Sequence, residues 1–341
     1  MPRRLEGSSN RNVAFVPGRF PNERCLGTIQ STPRCFAGAS FNGKSTKVDT
    51  IQRYRVGNAT VTRVTDLSLP EVPSEFLFPD RDRTVLSKDR PRWVGPENVS
   101  ADGQSVALSI HSWVVQTERH TILIDAGAGN GKNRPLNPIF HQLDTPYLQR
   151  LAAAGVRPDD IDFVLITHLH IDHVGWNTIH SGDRWVPAFP KARYIFSEAE
   201  YRFYADEGHV KTPSAGVFAD SVQPVVDAGQ AVLVNPADRL PVEGFSFHTS
   251  KGHSFDHLSI SLTSQGEHAL FSGDVMHHPV QVAKPEWNSV FCEFQEDAQS
   301  SRLWALNHAA DHRAIFFSSH FPGSSVGRVE RAETGFVWIP V

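Results

Sequence analysis

The sequence predicts an α/β protein, on three observations. Short β-type runs recur between residues 54 and 318, two segments among them carry helical spacing, and several runs end in Gly, Asp or His. Loops that leave strand ends on a rigid sheet are where binding and catalytic groups collect. The same pattern therefore predicts where the chemistry lies.

Residues 1–48 are rich in Arg, Asn, Ser, Gly and Pro without strand or helix periodicity, and are expected to be an extension with little structure of its own. One domain is expected over 49–341. Tyr54 to Val64 alternates about Gly57-Asn58, the pattern of a β-hairpin. Leu67 to Asn98 carries several prolines and mixed charges, and is expected to be a long surface excursion that serves as a lid. Two β runs follow, Ala107 to Val115 and Thr121 to Ile124, the second leaving through Asp125-Ala126-Gly127-Ala128-Gly129. Thr145 to Ala154 spaces Leu148 and Leu151 as a helix does, with Asp144 as its expected cap. The apolar strand Ile161 to Ile166 then runs straight into Thr167-His168-Leu169-His170-Ile171-Asp172-His173.

Later β runs are expected at Arg193 to Phe196, Ala231 to Val234, Phe245 to Thr249, Leu258 to Thr263 and Ala269 to Ser272. A helix is expected over Glu296 to Ala310, and a last strand over Ala314 to Ser318. Three of these strands lead to a candidate ligand: to His253, to Asp274 and to His320.

Composition removes several function classes. The net charge of −4 opposes a nucleic-acid partner, because such proteins concentrate Lys and Arg to neutralise phosphates. Three cysteines without a close pair exclude a thiolate zinc module and fit a reducing compartment. No apolar run approaches the ~20 residues that cross a bilayer, and the first residues lack the apolar stretch of a secretory signal. A small molecule is thus the expected partner and the cytoplasm the expected location, and nothing opposes a homo-oligomer. The 17 histidines direct attention to metal.

In an extended segment residues two apart point to the same side, so His168 and His170 can reach one ion while Asp172 and His173 turn to a neighbouring one. Four such polar side chains just after a buried strand would cost several kcal/mol if left unpaired. His and Asp at this spacing are what borderline divalent ions select.

The sequence resembles the metallo-β-lactamase superfamily, whose signature reads His-X-His-X-Asp-His, then a His after Gly, an Asp after Gly and a C-terminal His. The matching segments are Thr167 to His173, Lys251-Gly252-His253-Ser254, Ser272-Gly273-Asp274 and Ser319-His320-Phe321. The resemblance spans about residue 50 to 341 and implies an αββα sandwich with a dinuclear site at one edge. It implies one ion on His168, His170 and His253, a second on Asp172, His173 and His320, and Asp274 as the bridge. Zinc is the expected metal, with iron, cobalt and manganese as alternatives.

Asp274 stands where broad-spectrum β-lactamases use Cys, and His170 stands where the di-iron flavoproteins use Glu. The chain is most similar to the branch of quorum-signal lactonases and methyl parathion hydrolases. Those lactonases often carry Tyr three residues beyond the bridging Asp, where this chain has His277.

The expected activity is hydrolysis of a small hydrophobic ester or lactone by a water activated between two ions, since zinc lowers the pKa of bound water to about 7. The alternatives are an organophosphate triesterase and, further off, a redox enzyme such as a sulfur dioxygenase. Asp274 is the candidate proton acceptor. His277 is either an accessory donor or an ordinary surface or hydrogen-bonding histidine. Asp125 either orients a ligand or caps its Gly-rich turn. Trp176, Trp287 and Phe321, beside ligand-bearing loops, either line an apolar pocket or belong to the core. His257 is expected to pack or hydrogen-bond rather than to act as an eighth ligand.

Overall fold

A computed structural model of the chain describes residues 51–211 and 214–341. The expected extension over 1–48 lies outside the described residues. The opening hairpin pairs β1 (Arg53–Val56) with β2 (Ala59–Pro73) about Gly57-Asn58. Gly57 sits at φ +53, and a Cβ there would lie 2.2 Å from the Ser264 carbonyl oxygen. The turn therefore needs glycine both for its backbone angle and for the close approach.

β2 is interrupted by register shifts between Thr65 and Leu67 and between Leu69 and Val72. After it come α1 (Ser74–Leu77) and α2 (Arg83–Ser87). This corrects the expected surface lid: Leu69, Val72, Leu77, Phe78, Val85, Leu86 and Val94 are all buried in one core cluster. The prolines divide the segment into short pieces, and each piece buries its apolar residues against the sheet.

The chain continues through β3 (Ser105–Gln116), β4 (Thr121–Ile124), α3 (Tyr147–Ala153) and β5 (Phe163–Leu165). Asp144 does not cap α3. That helix begins after Pro146 without a side-chain cap. A small hairpin of β6 (Thr178–Ser181) and β7 (Arg184–Pro187) follows, then β8 (Arg193–Ser197), α4 (Glu198–Tyr204), α5 (Gln223–Asp227) and β9 (Ala231–Val234). The second half holds β10 (Phe245–Thr249), β11 (Leu258–Ser264), β12 (Glu267–Phe271), α6 (Val280–Ala283), α7 (Gln295–Asp311) and β13 (Ile315–Phe317). Two strands that the sequence pattern did not reveal, β14 (Val326–Arg331) and β15 (Phe336–Pro340), finish the chain.

One sheet runs in the order β1-β2-β3-β4-β5-β8-β9, and the other runs β10-β11-β12-β13-β14-β15. Side-chain alternation along each strand assigns residues to different layers. Ile122 and Ile124 enter the core shared by both sheets, with Phe247, Ile260, Phe271 and Phe317 from the other side. Leu123, between them, faces the helices with Tyr147, Leu151 and Val225. In the second sheet Leu270 and Phe316 turn outward to Ala305, Leu306 and Ala309 of α7. Helix, sheet, sheet and helix thus stack as an αββα sandwich, and each strand feeds two cores because its side-chain period is two. Among the described residues no helix is long and apolar enough to cross a membrane.

Backbone hydrogen bonds join the two sheets at one edge. Leu258 N–H donates to Thr167 O at 2.9 Å, and Ser109 N–H donates to His320 O at 3.0 Å. Within the first sheet, the exits of β4 and β5 are tied together by Asp125 N–H to Leu165 O and Ala126 N–H to His173 O, at 3.0 and 2.7 Å. The loops that carry the candidate ligands leave from this edge.

Candidate metal centre

All seven expected ligands meet at this edge. His168, His170 and His253 offer ligand atoms within 4.8 Å of one another, as do Asp172, His173 and His320. A third such group, His168, His173 and Asp274, connects the two. Asp274 is central: its Oδ2 lies 2.9 Å from His320 Nε2 and 3.2 Å from His253 Nε2. Its Oδ1 lies 3.2 Å from His173 Nε2.

The surrounding hydrogen bonds fix which imidazole nitrogens face the centre. His173 Nδ1 faces Asp125 Oδ2 at 2.9 Å, and His320 Nδ1 faces the Ser109 carbonyl at 2.9 Å. Both partners only accept, so both Nδ1 atoms carry a proton, and Nε2 of each ring is the nitrogen turned to the Asp274 carboxylate. The Thr167 hydroxyl proton goes to Asp125, at 2.9 Å from Oδ2, so Thr167 Oγ1 accepts from His168 Nδ1 at 3.0 Å. His168 Nε2 is then bare, buried and without a hydrogen-bond partner among the described residues.

Three imidazole Nε2 atoms thus converge on a carboxylate, with His173 Nε2 only 3.3 Å from His320 Nε2. A buried carboxylate demands positive charge beside it, which protons on the imidazoles or a bound cation can supply. The titration behaviour has the same origin. Burial opposes a proton on His173, but the Asp274, Asp125 and Asp172 carboxylates outweigh it and raise its pKa well above the usual range. Burial likewise opposes ionisation of Asp274, yet His173, His320 and His253 hold its pKa well below that of an ordinary carboxylate. His168 and His253 are shifted well below the usual value by burial, with the neighbouring imidazoles adding to the shift. Imidazole nitrogens around a fixed anion suit divalent zinc-type ions, which would displace the protons held there.

Several residues around the ligands have defined partners. Asp125, at φ +55, accepts from Thr167 N–H at 2.8 Å as well as from His173. His257 accepts the Asp274 backbone N–H on Nε2 at 2.8 Å, and its Nδ1 lies 2.8 Å from Ser250 Oγ. It holds Asp274 by hydrogen bonding, in keeping with the sequence reading. Gly273 makes this possible: at φ +54, a Cβ would stand 2.4 Å from His257 Nε2. His277 is buried, not a surface residue, with Nε2 3.3 Å from Asp274 Oδ2. Among the described residues neither ring nitrogen makes a well-formed hydrogen bond, and burial lowers its pKa against the opposing pull of the Asp274 carboxylate. His278 is bound away from the centre, its Nε2 3.1 Å from the Asn98 carbonyl.

The three aromatics expected either in a pocket or in the core have packing partners. Trp176 stacks on Tyr147 at 5.1 Å and donates its indole N–H to Asp66 Oδ2 at 3.1 Å. Trp287 packs against Phe78 at 5.6 Å, and Phe321 against Trp338 at 5.3 Å. A ring that does come near the centre is Phe291, 5.5 Å from His277 and 39% exposed.

Sequence reasoning also missed Asp66, Tyr204 and Glu293. Asp66, in the first irregularity of β2, accepts the Ala128 N–H at 2.8 Å and so braces the loop after Asp125. Glu293 Oε1 lies 3.0 Å from His170 Nε2, and the Tyr204 hydroxyl lies 3.5 Å from the same nitrogen. A carboxylate inside the run Val290-Phe291-Cys292-Glu293-Phe294 was the one available signal for Glu293.

The family model of the metallo-beta-lactamase superfamily matches residues 106–320. The chain belongs to the metallo-beta-lactamase superfamily. Two N-acyl homoserine lactonases AiiB, of Agrobacterium fabrum and Rhizobium rhizogenes, are each 28% identical to this superfamily member over 135 residues. That match covers 34% of this chain and 44% of either relative, so less than half of their length is matched. Among solved structures, hydrolase AbOPH of the beta lactamase superfamily aligns with a TM-score of 0.70 and 25% identity, over 86% of this chain and 98% of that one. AidC, described as a dizinc quorum-quenching lactonase in complex with a product N-hexnoyl-L-homoserine, aligns with a TM-score of 0.69 and 21% identity. Its match covers 85% of this chain and 97% of that one, and it supports the αββα fold.

Proposed function

We propose that the chain is a metal-dependent hydrolase of small carboxylic esters or lactones. The observation that carries this reading is the convergence of the His168, His173 and His320 Nε2 atoms on the ionised Asp274 carboxylate. His168, His170 and His253 would hold one divalent ion, and Asp172, His173 and His320 the other, with Asp274 between them. Bound there, the ions would supply Lewis acidity and lower the pKa of an attacking water to near 7.

The side chains have separate tasks. Asp274, kept ionised by its imidazole neighbours, is the group that accepts a proton beside the reacting centre. His277, neutral near pH 7 because burial lowers its pKa, keeps an N–H within the site to donate to the substrate oxygen or the leaving group. Asp125 holds His173 in the Nδ1–H form. Solvent reaches the cluster at His170 and Asp172, whose side chains are 14% and 16% exposed. Phe291 offers an apolar surface beside His277, which suits a small hydrophobic substrate. No Ser or Cys nucleophile is required.

The ester or lactone class is supported by the relatives named as N-acyl homoserine lactonases and by the product-bound lactonase among the fold neighbours. The test is one hydrolysis panel of acyl-homoserine lactones, aryl esters and phosphotriesters, with metal content measured on the same sample. We expect about two ions per chain and lactone or ester turnover that a chelator abolishes. Preference for phosphotriesters would move the reading to its alternative. Chelator-resistant turnover, or no bound metal, would overturn it.

A further inference from the structure

We infer that Glu293 is the positioning residue for one half of the centre, the His168, His170 and His253 set, and that it governs the affinity of that half alone. The inference rests on the two-ion reading of the site. The other half has its own carboxylate, since Asp125 Oδ2 receives His173 Nδ1–H at 2.9 Å. Glu293 Oε1 stands in the equivalent relation to His170 Nε2, at 3.0 Å and with its side chain only 7% exposed. A carboxylate accepts, so the proton of His170 stays on Nε2 and the bare nitrogen is Nδ1. That nitrogen faces His253 Nε2 at 2.8 Å.

Glu293 also reaches the second ligand of the same set. Its backbone N–H donates to the His253 carbonyl at 3.0 Å, and the next residue, Phe294, donates to the Gly252 carbonyl at 2.8 Å. One residue thus orients His170 through its side chain and His253 through its main chain. The segment cannot drift easily, because Val290 N–H is tied to the Leu77 carbonyl at 2.9 Å. The Tyr204 hydroxyl, 3.5 Å from His170 Nε2, also hydrogen-bonds to the Glu293 carboxylate. No comparable contact joins Glu293 to Asp172, His173 or His320 among the described residues, so its influence stops at one ion.

Orienting partners of this kind are worth about 10- to 100-fold in metal affinity. The experiment is a substrate-free zinc titration of the metal-stripped protein against a chelating dye, for the wild type, Glu293→Gln and Glu293→Ala. A thermal melt of each is recorded, and His170→Ala identifies which binding step belongs to that half. Glu293→Ala is expected to weaken that step by about 10- to 100-fold and leave the other within about twofold. Glu293→Gln keeps an acceptor oxygen without the charge, so it is expected to fall between. If the Ala variant does not accumulate, the isosteric Gln variant decides by the same selectivity. Unchanged affinity, or equal weakening of both steps with a lowered melting temperature, overturns the inference. Because no substrate is present, selective weakening stands even if the panel finds no turnover. Turnover with unchanged affinities would fail this inference alone.

Discussion

Asp125→Asn should switch a ligand off while leaving the backbone in place. Asp125 sits at φ +55, a conformation that Asn tolerates nearly as well as any residue but Gly. Its oxygens receive the Thr167 N–H at 2.8 Å, the Thr167 hydroxyl at 2.9 Å and His173 Nδ1 at 2.9 Å. An amide has one oxygen for these donors, and its NH2 must face whichever donor is left. The Thr167 backbone N–H cannot give up its proton, but His173 can move its own from Nδ1 to Nε2. Nδ1 then accepts from the amide, and the lone pair directed at the Asp274 side of the centre is lost. Hydrogen bonds to charged groups contribute about 1.5–3 kcal/mol, which corresponds to about 10- to 150-fold in affinity at about 1.4 kcal/mol per tenfold. The assay is the substrate-free zinc titration, with the melting curve of the metal-free protein beside it. Zinc affinity of the His173 half within about twofold of wild type would refute the tautomer argument.

Asp274→Asn should lose the second ion and at least about 10²-fold in turnover, the scale of a missing acid-base group, and should be worse than His320→Ala. Metal content and kcat measured side by side decide this, and an Asn variant that keeps both ions while His320→Ala is inactive would remove Asp274 as the bridge. His277→Ala should retain both ions and lower kcat and kcat/KM together; an unchanged kcat would return it to a packing role. Gly273→Ala adds a Cβ 2.4 Å from His257 Nε2 at φ +54, so a loss of about 1–3 kcal/mol in stability is expected, read by chemical denaturation. Lys132 supplies a pH test away from the ligands. Burial, which Asp220 only partly offsets, lowers its pKa to about 7. Between about pH 7 and the unfolded value of 10.5 the unfolded chain binds the extra proton. Wild-type stability should therefore rise with pH there, by at most about 1.4 kcal/mol per unit, and Lys132→Met should flatten that slope in denaturation series from pH 7 to 10.

Local pattern was a reliable guide where one segment carried the whole signal. The Gly57-Asn58 turn, the strand β4, the strand β10 and the helix α7 were readable because their periodicity and turn chemistry are properties of adjacent residues. The excursion at residues 67–98 was misread for the opposite reason. Its prolines are visible in sequence, but the sheet face that buries Leu77, Phe78 and Leu86 is not. Strands β14 and β15 went unread because short alternating runs gain their meaning from the neighbouring strand they pair with.

The candidate centre divides in the same way. The ligand residue types and their order along the chain are set by the sequence, since His168, His170, Asp172 and His173 share one strand exit and His253, Asp274 and His320 each follow another. Only the tertiary structure decides which nitrogen of each imidazole faces the centre. That choice depends on acceptors far away in the chain: Asp125 for His173, the Ser109 carbonyl for His320 and Glu293 for His170. A hydrogen bond reads distance in space, to within a few tenths of an ångström, and a partner 123 or 211 positions away leaves no periodic trace in sequence. The chain thus determines by itself what the centre is made of, while packing of the two sheets determines where its protons sit.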